Sequence, residues 1–123
     1  MGEAKKILVV DDEKGIRFLL LDFLSNEGFD VSVAKDGQES LDILEKASFD
    51  LVITDINMPG MDGISMLKTM KKAGRKEKVI LMSASPLDES LLENEIPSVL
   101  RQLCKPFRLD DFLGMVIAAT GNA

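Results

Sequence analysis

The chain contains no histidine, no tryptophan and no tyrosine. Without histidine, imidazole acid–base catalysis and His-ligated metals are excluded. One cysteine, Cys104, excludes an internal disulfide, so a reducing cytoplasm is the expected compartment. Cys104 itself reads as a small core residue. Long apolar runs are absent: Met1 leads into "GEAKK" and then only "ILVV", too short for a signal-peptide core or a membrane span. Positive charge is also scarce. Fifteen Lys and Arg against 21 Asp and Glu leave a net charge of −6, which argues against a nucleic-acid surface as the main business of the chain. The one basic cluster, "KTMKKAGRKEK" (68–78), reads as the solvated end of a helix and its loop. Any chemistry must therefore use carboxylates, lysine, hydroxyls, the thiol or a borrowed cation.

What remains is an ordinary globular balance, 46% hydrophobic and 29% charged in 123 residues, enough for one domain with a structured core over 5–119. Five apolar runs have strand length: "KILVV" (6–10), "DVSVA" (30–34), "FDLVIT" (49–54), "KVILM" (78–82) and "VLRQLC" (99–104). Segments of helical period alternate with them. Residues 14–27 place Ile16, Leu19, Leu20, Phe23 and Leu24 on one stripe, with Gly28 as a natural stop. The helix over about 37–47 carries Leu41, Leu44 and Ala47, widened by Ile43, and 62–73 carries Ile64, Leu67 and Met70. "PLDESLLENEI" (86–96) is expected to be helical, with Pro86 in its first turn and Pro97 ending it early. A last helix over about 108–119 aligns Leu109, Phe112, Leu113, Val116 and Ile117. Strands alternating with helices in this way predict an α/β fold, a (βα)5 doubly wound parallel sheet with helices on both faces. Ligands in such sheets bind outside the carboxyl ends of the strands.

Four short motifs meet at that edge. "LVVDD" (8–12) places Asp11 and Asp12 after the first strand, and "VITDINMPGMDG" (52–63) places Asp55 after the third. "LMSAS" (81–85) and "LCKPF" (103–107) place Ser83 and Lys105 after the fourth and fifth. Two unit charges about 5 Å apart at an effective dielectric of about 20 repel by roughly 3 kcal/mol. Either one carboxyl is protonated, or a cation sits among them. Oxygen ligands without His or Cys favour Mg²⁺, which keeps several waters and often binds phosphate as well. Lys105 adds a positive point charge, Ser83 a hydroxyl, and backbone N–H groups near Asn57 and Ala84 further donors. Such a set suits phosphoryl transfer, which asks mainly for positioning and charge neutralisation, with Asp55 the natural acceptor. Blander readings stand beside this one: Asp11 and Asp12 as caps of the first helix, Asp55 as a turn residue, Ser83 as a cap, Lys105 as a solvated strand end.

"VVDDEKGIRFLL", "ITDINMPGMDG", "MSAS" and "CKPF", in this order and spacing, resemble the receiver domain of two-component response regulators across essentially the whole chain. The resemblance implies a flavodoxin-like sheet of order 2-1-3-4-5, with 1–123 a single receiver domain. It implies Asp55 as phosphoacceptor, and Mg²⁺ held by Asp12, Asp55 and the backbone carbonyl of Asn57, with Asp11 acting mostly through water. Ser83 and Lys105 would bind phosphoryl oxygens, and Lys105–Pro106 would be cis. The implied partner is a sensor histidine kinase or histidine phosphotransfer protein, followed by an unknown downstream target. No direct nucleic-acid contact and no membrane insertion are expected.

The chain would then be no enzyme toward other substrates and would catalyse only its own phosphorylation and dephosphorylation. The first helix carries Phe18 and Leu21 beyond its core stripe, either as extra packing or as a docking patch. Gly15, Ile16 and Leu19, nearest the acidic pair, are the candidates for partner contact. Asn57 and Ser85 lie where side chains affect water access to an acyl phosphate.

Two features depart from the family. Gln102 stands where an aromatic residue is usual, and Ser98 and Val99 replace a usual Gly-Ala pair. They motivate an alternative, a receiver-fold scaffold with weak or no switching. A phosphatase of the haloacid dehalogenase type, which also forms an aspartyl phosphate, is disfavoured because Asn57 cannot serve as a general acid. The last helix runs into "ATGNA", so a stand-alone receiver or relay, or a piece of a longer regulator, is expected.

Overall fold

The computed structural model describes residues 3–58, 60–84 and 99–121, with the side chain of Leu100 outside that set. The helix expected over 86–96, and the expectations attached to Ser85, Pro97 and Ser98, fall outside the described residues. In chain order the elements are β1 (Lys6–Val10), α1 (Lys14–Asn26), β2 (Asp30–Ala34), α2 (Gly37–Lys46), β3 (Leu51–Asp55), α3 (Gly63–Lys72), β4 (Lys78–Ser83), β5 (Val99–Cys104) and α4 (Leu109–Thr120). The five strands form one parallel sheet in the order β2-β1-β3-β4-β5, as the family resemblance implies.

Strand alternation divides the core between the two faces of the sheet. Leu8, Val10, Val52, Val79 and Leu81 pack with Leu44 of α2 and Met66, Leu67 and Met70 of α3. Ile7, Val9, Leu51, Ile53, Ile80 and Met82 pack with Leu20 and Leu24 of α1 and Phe112 and Val116 of α4. Because both faces are covered, the central strands read as nearly unbroken apolar runs. Helix ends follow local chemistry. Gly28, at φ 93°, closes α1 with the paired bonds Phe29 N–H to Leu24 carbonyl (3.2 Å) and Gly28 N–H to Ser25 carbonyl (3.1 Å). Asp62 caps α3 by accepting the Ser65 N–H at 2.8 Å.

Several expectations need correction. β3 starts at Leu51, two residues later than its apolar run, and includes Asp55; β4 likewise includes Ser83. Leu19, placed on the core stripe of α1, is 48% exposed, and Phe18 is 52% exposed. The buried arc centres on Leu20 and Leu24, so Leu19 falls at its margin. Cys104 is exposed rather than a core residue. It lies on the edge strand β5, directly after Leu103, whose side chain takes the face beneath α4. The basic cluster 68–78 is solvated at Lys71, Lys72 and Lys76, but Arg75 and Glu77 turn inward. Arg75 donates to the carbonyls of Leu44 (2.7 Å) and Ala47 (3.0 Å) and to Glu77 Oε1 (3.0 Å). Buried Glu77 accepts the Phe49 N–H at 3.2 Å, which ties α2 to the segment between α3 and β4.

Candidate functional site

Register sets the site. Val10 pairs with Thr54 and Ala34, Asp55 with Met82, and Ser83 with Cys104, so the carboxyl ends of all five strands lie along one edge, with β3, β4 and β5 running slightly past β1 and β2. Asp11, the first residue beyond β1, donates its N–H to Ala34 carbonyl at 3.1 Å and is fully buried. Asp55, last in β3, is 5% exposed, whereas Asp12 is exposed. One carboxylate oxygen from each of the three lies within 4.8 Å of the others. Lys105 enters from β5. Its backbone N–H donates to the Ser83 carbonyl at 2.8 Å, and its ammonium donates to Asp11 Oδ2 (3.0 Å) and Asp55 Oδ2 (3.2 Å). Glu13 Oε1 stands 3.9 Å away as an outer partner of the same ammonium. Ser83 is buried beside this group, and Lys105–Pro106 is cis.

Burial dominates the charge balance at Asp11. It raises the pKa of that carboxyl above the ordinary value, Asp55 adds to the rise, and the Glu13 N–H and Lys105 only partly oppose it. At Lys105 burial alone would favour the neutral amine. The hydrogen bonds and charges of Asp11 and Asp55 outweigh it and hold the ammonium above its ordinary pKa. One lysine thus faces three close carboxylates, and the group retains excess negative charge. The donor set contains only hard oxygens and spans the distance over which one small divalent cation bridges ligands. Among the described residues no other group of three or more His, Cys, Asp or Glu gathers in this way.

The blander roles fare differently at each position. α1 has Glu13 at its N-cap without a side-chain cap bond. Asp11 Oδ1 accepts the Glu13 N–H at 2.9 Å, which braces the loop rather than the first helical turn. Asn57 is exposed and donates its N–H to Asp55 Oδ1 at 3.3 Å. Gly15 and Leu19 are exposed and Ile16 half-buried on α1, directly after the acidic pair. Gln102 is half-buried on β5 opposite Leu81.

Motif and period do not reveal the residues that hold Asp55 from behind. Thr54 donates its hydroxyl to the Asp55 carbonyl at 2.9 Å. A Cβ at Gly63, the first residue of α3, would lie 2.3 Å from that same oxygen and 3.0 Å from Ile56 Cα. Only glycine lets α3 start this close to the end of β3. Gly37 plays the same part for the loop, since a Cβ there would sit 2.9 Å from the Met61 carbonyl. Glycine in a first helical turn, where it weakens the helix, was the signal available.

The chain matches the family described as response regulator receiver domain over residues 7–117. The chain belongs to that family. This receiver is 40% identical over 107 residues to sporulation initiation phosphotransferase F of Bacillus subtilis, covering 87% of this chain and 86% of that protein. It is 35% identical over 111 residues to the regulatory protein AtoC of Escherichia coli, covering 90% of this chain and only 24% of that protein. Among solved structures it resembles the Francisella response regulator 1452 receiver domain, with a TM-score of 0.85 at 32% identity, covering 95% of this chain and 97% of that one. The response regulator TrrA of Thermotoga maritima, solved in complex with Mg²⁺ and BeF, gives a TM-score of 0.79 at 33% identity, covering 94% and 98% of the two chains. As a receiver the chain takes part in phosphorelay signalling. No described helix is long and apolar enough to cross a membrane.

Proposed function

We propose that the receiver accepts a phosphoryl group on Asp55 from a partner phosphohistidine and, once modified, changes a partner-binding surface. The observation that carries this reading is the buried Asp55 carboxylate, with Oδ2 3.2 Å from Lys105 and Oδ1 3.3 Å from the Asn57 N–H. An Asp55 oxygen attacks phosphorus as the N–P bond of the donor breaks. The electron pair leaves on the imidazole nitrogen, and the product is an acyl phosphate. The chain has no histidine, so the donor must come from outside.

Lys105, now shared by Asp11 and Asp55, shifts its ammonium toward a phosphoryl oxygen as Asp55 loses its charge. The Ser83 hydroxyl, at the end of the neighbouring strand, donates to another. Asp11, Asp12, Asp55 and the Asn57 carbonyl would hold Mg²⁺, which supplies the remaining charge neutralisation when bound. The chain transfers the group only to and from itself. We assign 1–123 as a single receiver domain of the cytoplasm, with a histidine kinase or phosphotransfer protein docking at Gly15, Ile16 and Leu19. Gln102, in place of the usual aromatic, favours one second reading, a scaffold of the same fold with little phosphorylation-dependent switching.

Intact-mass measurement after incubation with acetyl phosphate and Mg²⁺ tests the proposal. One added phosphoryl group is expected in the wild type and none in Asp55→Ala or in excess chelator. No gain in the wild type would leave the scaffold reading in front.

A further inference from the structure

Of the three clustered carboxylates, Asp11 and Asp55 are buried and tied to Lys105, while Asp12 is exposed and its side chain has no hydrogen bond or ion pair among the described residues. The direction of Asp12 therefore depends on its backbone. That backbone is held by Arg17, whose Nη1 donates to the Asp11 carbonyl at 2.9 Å and to the Asp12 carbonyl at 3.2 Å. Long side chains on a helix lean toward its N-terminus, so Arg17 in the first turn of α1 reaches back over the loop that precedes it. The Arg17 N–H itself donates to the Glu13 carbonyl at 3.0 Å, the opening bond of the helix. Both carbonyls of the acidic pair are thus gathered on one nitrogen, which holds the peptide planes on either side of Asp12 and with them the direction of its Cα–Cβ bond.

We infer that Arg17 is a positioning residue that pins the peptide planes of Asp11 and Asp12 and so presents the Asp12 carboxylate to the cation site. This rests on the metal reading of the site given above. The sign of its effect separates positioning from plain electrostatics. A guanidinium near the site repels a divalent cation, so as a mere charge its removal would tighten Mg²⁺ binding. As a positioning group its removal loosens binding, by about tenfold on the scale of groups that orient metal ligands.

The test is titration of the metal-free protein with MgCl₂, followed by amide chemical shifts of residues 11–13 and 55–57, in wild type, Arg17→Met and Arg17→Lys. Arg17→Met keeps the apolar stem and should bind Mg²⁺ about tenfold more weakly, with Arg17→Lys recovering most of the loss. In the absence of metal, Arg17→Met should also speed amide exchange at Glu13, whose N–H donates to Asp11 Oδ1 at 2.9 Å, while the amides of β1 and β3 stay protected. Equal or tighter Mg²⁺ binding in Arg17→Met, or unchanged exchange at Glu13, overturns the inference. If the wild type binds no Mg²⁺, the metal reading falls and the inference falls with it. A wild type that binds Mg²⁺ but takes no phosphoryl group on Asp55 would defeat the functional proposal alone.

Discussion

Gly63→Ala should behave against the usual rule for glycine in a helix. In an open helical position the change to alanine stabilises by about 0.5–1 kcal/mol, through helix propensity and a less flexible unfolded chain. At Gly63 the new Cβ would meet the Asp55 carbonyl at 2.3 Å and the Ile56 Cα at 3.0 Å. Both neighbours are backbone, so α3 and the end of β3 must separate by about 1 Å to reach ordinary contact. Overpacking of this kind costs about 1–3 kcal/mol. Net destabilisation of about 1–2 kcal/mol is expected.

Gly114→Ala in α4 is the matched control, because nothing lies within 4 Å of its added Cβ. It should gain about 0.5–1 kcal/mol. Urea unfolding followed by far-UV circular dichroism suits a chain without tryptophan or tyrosine, and the two midpoints should move in opposite directions from wild type. The same displacement moves Asp55 relative to Lys105, and a misplacement of about 1 Å can cost about 10²-fold in rate. Phosphorylation of Gly63→Ala by acetyl phosphate should therefore fall well below wild type, while Gly114→Ala keeps its rate. A Gly63→Ala protein as stable as Gly114→Ala and phosphorylated at the wild-type rate would refute the close approach of α3 to Asp55.

Further outcomes follow from charge and exposure. Asp11 has a folded pKa raised above its unfolded value, so its ionisation costs stability as pH rises through that folded value. Asp11→Asn should accordingly be more stable than wild type at neutral pH, on the order of 1 kcal/mol, with the gap closing in acid. The reverse holds for Glu77. Burial pushes its pKa up, but Arg75 and the Phe49 N–H outweigh that and lower it, so its stabilisation is present above the ordinary carboxylate value and lost as pH falls through the folded one. Glu77→Gln should cost about 2 kcal/mol at pH 7 in urea melts, short of a fully buried pair because Arg75 is partly exposed, and the difference should shrink as pH falls below the ordinary carboxylate value. Leu19→Asp, at an exposed site, should leave stability within about 0.5 kcal/mol of wild type and the acetyl phosphate rate unchanged. Transfer from a phosphohistidine donor should slow by about tenfold if Leu19 contacts the partner.

The sheet was legible because each central strand is buried on both faces and reads as a continuous apolar run, and the convergence of Asp11, Asp55, Ser83 and Lys105 follows from placing those runs side by side. The strand order came from family resemblance, since periodicity does not say which strands are neighbours. Where the reading erred, spacing alone could not choose between adjacent residues. Leu19 and Leu20 both fit the helical stripe, and only the direction in which α1 meets the sheet decides that Leu20 is buried. Cys104 closes an apolar run, and nothing in that run marks β5 as an edge strand with one side open. Arg75 and Glu77 were lost in a run of lysines, since nothing in the local pattern announces that an arginine will reach the carbonyls of α2. Gly63 and Arg17 act through contacts of about 3 Å or less, which lie below the resolution of motif and period.

The central claim is that Asp55, and not Asp11 or Asp12, carries the phosphoryl group. Borohydride reduces an aspartyl phosphate to homoserine, so the receiver treated with acetyl phosphate and Mg²⁺, then reduced and digested, reports the modified position directly by peptide sequencing in a mass spectrometer. Homoserine at residue 55 and at neither 11 nor 12 is the predicted result. Homoserine at Asp11 or Asp12, or its absence from all three in a protein that has gained phosphate, would contradict the assignment.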